Sequence, residues 1–374
     1  MPGRRSIAAR RSCRYNDGFQ RNPSRTKQLR KKAVSSQENR NTRKLIVGCD
    51  EAGYGPTLGP LVIAATAWET TADTTGADLY RLLASAVSSG TERGSTRRAT
   101  RVEEGDPEKL IVADSKQVYR PGGTIAGLER AVSALAACLG RTPATRNALF
   151  RMLDPEVHGD LAAVPWYRAD RPLPACLSAD SIETATQRLR DACAQAGVRP
   201  VGLRARIVPA GRFNRLLARY GGKGSLLSHA TLETAIALID EAASAEVDRI
   251  EIACDRHGGR KHYAGITAEC FETALVHVVE ERSDCSRYTF VRRERAVEIA
   301  FRTGGESLLP AAWASMIAKY VRELAMEAFN RFWREHVETA PTAGYPQDAR
   351  RFLAEIEPAR RRLGIDPAIL RRAK

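Results

Sequence analysis

Residues 45–69 read LIVGCDEAGYGPTLGPLVIAATAWE, and the reading of this stretch decides the fold. Two runs of apolar and β-branched residues flank a glycine–proline turn, the pattern of an antiparallel hairpin that opens a sheet. The first run ends in Asp50 and Glu51. An acid at the end of an apolar strand needs a reason, because a carboxylate withdrawn from water is costly unless its charge is compensated. The same event recurs two hundred residues on, where Asp255 directly follows Ile250-Glu251-Ile252-Ala253-Cys254.

Strand ends are where sites form in open α/β sheets, and carboxylates gathered there repel one another unless a cation lies between them. Oxygen donors without metal-type His or Cys spacing favour magnesium or manganese over zinc. The eight cysteines contain no CxxC pair, so a structural zinc is not expected, and Cys49 and Cys254 read as small buried hydrophobes. Asp50 and Glu51 would face opposite sides of a regular strand, so the strand must bend or one of the two must act through its backbone carbonyl. Gly53 and Gly55 permit a bend and let the backbone approach a phosphate or sugar closely. Glu306 lies in TGGESLLPAAWASMIAK (303–319), just before a helix opened by Pro310, where negative charge is favourable; simple helix capping is the alternative.

Around these residues the chain alternates. Strands are expected over 202–208, 248–254, 287–292 and 295–301, and helices over 124–139, 181–196, 225–244 and 264–278, which implies an α/β fold with a mixed sheet flanked by helices. Trp313, Met316, Ile317, Tyr320, Val321, Leu324, Phe329 and Phe332 mark one apolar stripe of a long helix. Residues 336–374 read as a C-terminal helical segment, 44–335 as the main domain, and the polar stretches near 70–108 and 140–200 as insertions. Trp166-Tyr167-Arg168 could stack on nucleotides or pack an insertion. His257 and His262 could shuttle a proton or sit exposed in a polar loop. Lys319 could snorkel or reach the site.

Charge is unevenly spread. The net charge is +15, and residues 1–44 carry 14 Lys and Arg against Asp17 and Glu38, which is +12 and leaves about +3 for the rest. Residues 1–43 lack an apolar repeat and are expected to be a disordered basic arm, able to hold phosphates through counterion release or simply to be solvated. No secretory signal and no run of about 18 apolar residues is present, so a cytoplasmic protein is expected, with no membrane contact.

Taken together, GCDEAGYGPTLGPLVIAA (48–65) resembles the first signature of ribonuclease HII, the type 2 ribonuclease H family, and IVADSK (111–116) resembles its aspartate-serine-lysine element. GSLLSHATLETAIALI, IEIACDRHGG, AAWASMIAKYVRE and GYPQDARRFLAEI follow in the family's order. The resemblance implies a ribonuclease H-like fold and an endoribonuclease that hydrolyses the RNA strand of RNA–DNA hybrids. Two Mg2+ or Mn2+ ions would be held by Asp50, Glu51, Asp255 and Glu306, leaving 5′-phosphate and 3′-hydroxyl ends. It implies substrate contacts from Gly53, Tyr54, Gly55, Ser115 and Lys116, an RNA–DNA hybrid or ribonucleotide-containing duplex DNA as partner, and a monomer. The chain departs from the family where Tyr54 replaces the arginine between the two glycines, losing a charged fork of donors. It departs again where Glu306 replaces a more usual Asp. Two other readings stand beside this one: a nucleic-acid-binding protein with weak or no cleavage, and a different nuclease of the same superfamily.

Overall fold

β1 (Arg43–Ala52) and β2 (Leu61–Thr71) pair antiparallel from Arg43↔Thr71 to Ala52↔Val62, so the opening stretch is the hairpin that its two apolar runs and glycine–proline turn predict. The structure, a computed structural model, describes residues 43–71, 73–90, 109–120 and 122–373, without the side chain of Glu306. Residues 1–42 of the basic arm and residues 91–108 lie outside the described residues. The described residues form one compact unit.

Besides a short parallel pair, β3 (Val87–Ser88) with β4 (Leu110–Ile111), the described strands are β5 (Arg199–Val208), β6 (Val247–Asp255), β7 (His277–Glu281), β8 (Cys285–Arg292) and β9 (Arg295–Arg302). They join the hairpin in a seven-stranded mixed sheet of order β5-β2-β1-β6-β9-β8-β7. β1 runs parallel to β6, β6 parallel to β9, and the other pairs are antiparallel.

Helices cover both faces, as strands buried on two sides require. Along β1, Leu45, Val47 and Cys49 turn into a core shared with Leu232, Leu238 and Ile239 of the helix Lys223–Ala242. Ile46 turns the other way, into the larger core built on the helix Leu309–Arg334. That long helix needs very close approach: a Cβ on Gly48 would lie 2.1 Å from Ala311 N and 2.2 Å from the Pro310 carbonyl carbon. Thr66 Oγ1 donates to the Pro310 carbonyl at 2.8 Å, Trp68 Nε1 donates to Thr66 Oγ1 at 3.1 Å, and the rings of Trp68 and Trp313 sit 5.3 Å apart.

Residues expected to be insertions share this core. Trp166 is 5% exposed and meets Phe329 edge-on at 5.1 Å, so it packs rather than waiting for a nucleotide. Phe352 and Ile356 of the helix Pro346–Arg362 join the same cluster. The helix expected over 264–278 is shorter: it ends at Cys270, Glu272 takes a positive φ of 51°, and Val278 pairs with Tyr288 in the edge strand β7. No helix among the described residues is long and apolar enough to cross a membrane.

Because backbone atoms of the long helix occupy the space above Gly48, Gly48→Ala must push the helix off the sheet. Overpacking typically costs about 1–3 kcal/mol, and with backbone on the far side the upper end is expected. Urea unfolding should show the midpoint falling; an unchanged midpoint would contradict the contact.

Candidate active site

Parallel pairing sets Cys49 opposite Cys254, so the next residue of each strand, Asp50 and Asp255, comes side by side at the carboxyl ends of β1 and β6. Strand alternation turns both toward the face of Gly48 and Ala253, the face on which the long helix starts. The two thiols behind them are fully buried, and a hydrogen bond with Cys49, then burial, raises Cys254 well above the usual thiol range. The Cys254 thiol next to Asp255 is thus held neutral.

β1 does not bend between Asp50 and Glu51. It stays paired through Ala52, and the turn comes at Gly53, with φ of 83°. The Glu51 backbone N–H donates to Asp50 Oδ1 at 2.7 Å. Burial, then the charge of Asp50, then that of Asp255 push the Glu51 carboxyl up to about 8, while Lys116 draws it down. Three carboxylates and one lysine therefore share one electrostatic neighbourhood.

Glu306 belongs to a short 3₁₀ turn, Gly305–Ser307. The turn lies against the end of β6: a Cβ on Gly305 would be 3.3 Å from Asp255 N and 3.4 Å from Asp255 Cα. The backbone carrying Glu306 is thus brought to Asp255, and the Glu306 side chain itself lies outside the described residues.

The aspartate-serine-lysine element forms the single-turn helix Ser115–Val118, capped by Asp114, whose Oδ1 accepts from Lys116 N at 3.0 Å. Lys116 is exposed. Ser115 is buried, its Oγ accepting from Ser315 Oγ at 3.2 Å, so it ties this turn to the long helix. Tyr54 is half-buried against Leu61, Ile63 and Phe213, and burial, then Glu51, raise its phenol above the ordinary range. Gly55 is exposed, with Tyr345 Cε1 3.9 Å from where its Cβ would be.

Of the remaining candidates, His257 is 3% exposed, with Nδ1 2.9 Å from Ser228 Oγ, and burial lowers it to about 3. It is a neutral packing residue. His262 is exposed and lies 2.5 Å from Glu281 Oε2, on the β7 side. Lys319 reaches Glu323 Oε1 at 2.5 Å and lies over the Tyr119 ring.

Sequence reasoning missed two arginines behind the glycine turn. Arg322, 4% exposed, donates to the carbonyls of Pro60 at 3.1 Å and Ala343 at 2.9 Å. A cation on the buried stripe of the long helix was a readable signal. Arg372, 2% exposed, donates to the carbonyls of Gly53 and Gly59, and burial, then Arg322, lower it to about 9, so it stays charged at neutral pH. Within Arg-Arg-Ala-Lys (371–374) the sequence carries no such signal.

The donors are all oxygens, which suits a hard divalent cation, and such a cation offsets both the burial and the repulsion that raise Glu51. Among the described residues no three His, Cys, Asp or Glu side chains are gathered closely enough to enclose a metal ion. Asp50, Glu51 and Asp255 are electrostatic neighbours, not a closed cage.

No protein-family model and no curated protein matches the chain. Among solved structures it is similar to ribonuclease H2 from Pyrococcus horikoshii OT3, at 15% identity over 87% of this chain and 92% of that one, with a TM-score of 0.41. It is similar to the PCNA–ribonuclease HII complex from Archaeoglobus fulgidus, at 13% identity over 87% and 93%, TM-score 0.36. A third is Bst ribonuclease HIII solved with Mn2+, at 15% identity over 91% and 68%, TM-score 0.34. Values this low leave function to be read from the residues themselves.

The raised Glu51 carboxyl has a signed consequence for stability. Its ordinary value is 4.5 and its folded value about 8, so between these the folded state binds the extra proton and stability falls as pH rises. In EDTA the wild type should lose stability progressively from pH 4.5 to 8 through this group. Glu51→Gln should flatten that slope in urea titrations. An equal slope in both proteins would contradict the assigned neighbourhood.

Proposed function

We propose that the chain is a metal-dependent endoribonuclease that hydrolyses the RNA strand of RNA–DNA hybrids. One observation carries the reading: the Cys49↔Cys254 register sets Asp50 beside Asp255, within electrostatic reach of Glu51. The order of motifs supports it, because the first signature, the third acid and the aspartate-serine-lysine element, far apart in the chain, meet at one end of the sheet.

In this reading Asp50, Glu51, Asp255 and Glu306 would hold the divalent ions. When bound, Mg2+ or Mn2+ supplies activation of a water and stabilisation of the departing 3′ oxygen. Everything else falls to the chain's own groups. Lys116, exposed and charged, holds the phosphate and offsets its charge. The backbone from Gly53 to Gly55 approaches the ribose, whose 2′-hydroxyl both donates and accepts and so separates RNA from DNA. Tyr54 offers a ring and one hydroxyl where the family resemblance implies a guanidinium, which suits runs of ribonucleotides better than a single embedded one.

Asp50→Asn keeps the shape of the side chain and removes its charge. It should lower Mg2+-dependent cleavage of a uniform RNA–DNA hybrid by at least ~100-fold while leaving hybrid binding within about 2-fold. Turnover equal to wild type would dispose of the role, and a wild type that binds hybrid without cutting would favour a binding protein.

A further inference from the structure

The loop that follows Glu51 has little internal structure to hold its shape. Between β1 and β2 it runs GYGPTLGP, with Gly53 and Gly59 at φ of 83° and 77° and two prolines that lack an N–H. Such a turn has many conformations open to it unless something outside fixes it. The C-terminal end of the chain does so. Arg372 Nη1 donates to Gly53 O at 2.5 Å, while its Nε and Nη2 donate to Gly59 O at 2.9 and 2.7 Å. The Arg372 backbone N–H donates to Thr57 O at 3.0 Å, and Leu58 and Arg371 form an antiparallel bridge.

The arginine is itself held. Its guanidinium lies over the Phe213 ring at 5.1 Å and is 2% exposed. Asn214, on the helix Ala210–Tyr220, clasps the tail at three points: its Nδ2 donates to the carbonyls of Ala368 and Arg371 at 3.0 Å, and its Oδ1 accepts from Ala373 N at 2.7 Å. A rigid, forked set of donors thus spans both ends of the loop, something a lysine's point charge cannot do.

We propose that Arg372 is a positioning residue of the site, which sets the orientation of the Gly53–Tyr54 peptide and thereby the ribose-reading backbone. A trans peptide is planar with its C=O and N–H opposed, so fixing the Gly53 carbonyl on Arg372 turns the Tyr54 N–H away from Arg372. That N–H is a donor within the Gly53–Gly55 backbone that the proposed nuclease reading sets against the ribose, and the inference about substrate rests on that reading. The inference about the loop rests on the hydrogen bonds alone. The second half of the brace is Arg322, whose Cδ and Nε would lie 2.8 Å from a Cβ on Gly53.

The test compares the full-length wild type with Arg372→Gln, Arg372→Lys and a control, Arg360→Gln. Arg360 bonds Glu357 and the Ile365 carbonyl in the same C-terminal region without touching the loop. Two readouts are taken: amide hydrogen exchange over residues 53–60, and kcat and KM for Mg2+-dependent cleavage of a uniform hybrid. Arg372→Gln should raise exchange in the 53–60 peptide at least about 10-fold and raise KM for hybrid about 10-fold or more. kcat should change less than KM, because the brace serves the sugar contact and not the carboxylates. Arg372→Lys should restore part of both, and Arg360→Gln should leave both within about 2-fold even where its melting temperature falls equally. If Arg372→Gln does not fold, Arg372→Lys carries the test, with intermediate exchange and KM expected. Unchanged exchange in the folded variant overturns the brace, and equal effects from Arg360→Gln reduce it to general stability. A wild type that cuts no hybrid sinks the nuclease reading, and the exchange arm still decides whether Arg372 fixes the loop.

Discussion

The parallel pairing of β1 with β6 brings residues two hundred positions apart into one register, and the placement of charge at the site follows from it. With Cys49 opposite Cys254, the acids that follow them share an edge and a face. Strand side chains alternate with a period of two, so a slip of one residue would send one of these acids into the core lined by Ile252 and Ile299. The apolar residues that precede each acid hold that register. Leu45, Val47, Ile250 and Ile252 share one buried face in this register, which leaves Asp50 and Asp255 together on the other.

The long helix is the second constraint, because it gathers the other parts of the site on one rigid element. Its start lies on Gly48, just before the carboxylates, its Ser315 holds the serine of the aspartate-serine-lysine turn, and its Arg322 braces the end of the glycine loop. Only a residue without a side chain at 48 lets the helix come close enough for all three. The C-terminal tail completes the arrangement from behind, so the first motif of the chain takes its shape partly from the last residues.

Much of this was legible in the sequence. The hairpin, the strands β5, β6, β8 and β9 and the long helix all carry clear periodicity, and the observed spans follow it. The two strand-terminal acids were legible for the same reason, since an acid at the end of an apolar run is conspicuous. The helix expected to continue to residue 278 was not, because its end is set by the pairing of Val278 with Tyr288, a partner outside any local window. Gly48 looked like one more glycine in a motif, and its role appears only when Pro310 and Ala311 arrive above it. Arg372 was silent for the deeper reason that its acceptors lie 313 and 319 residues away and are backbone carbonyls, which leave no pattern in composition.

The most direct measurement is a crystal of the protein soaked in Mn2+ and recorded near the manganese absorption edge. An anomalous peak bounded by the carboxylates of Asp50 and Asp255, and absent from Asp50→Asn crystals, is the result this account predicts. Manganese bound only elsewhere, with those two carboxylates left without an ion, would contradict it.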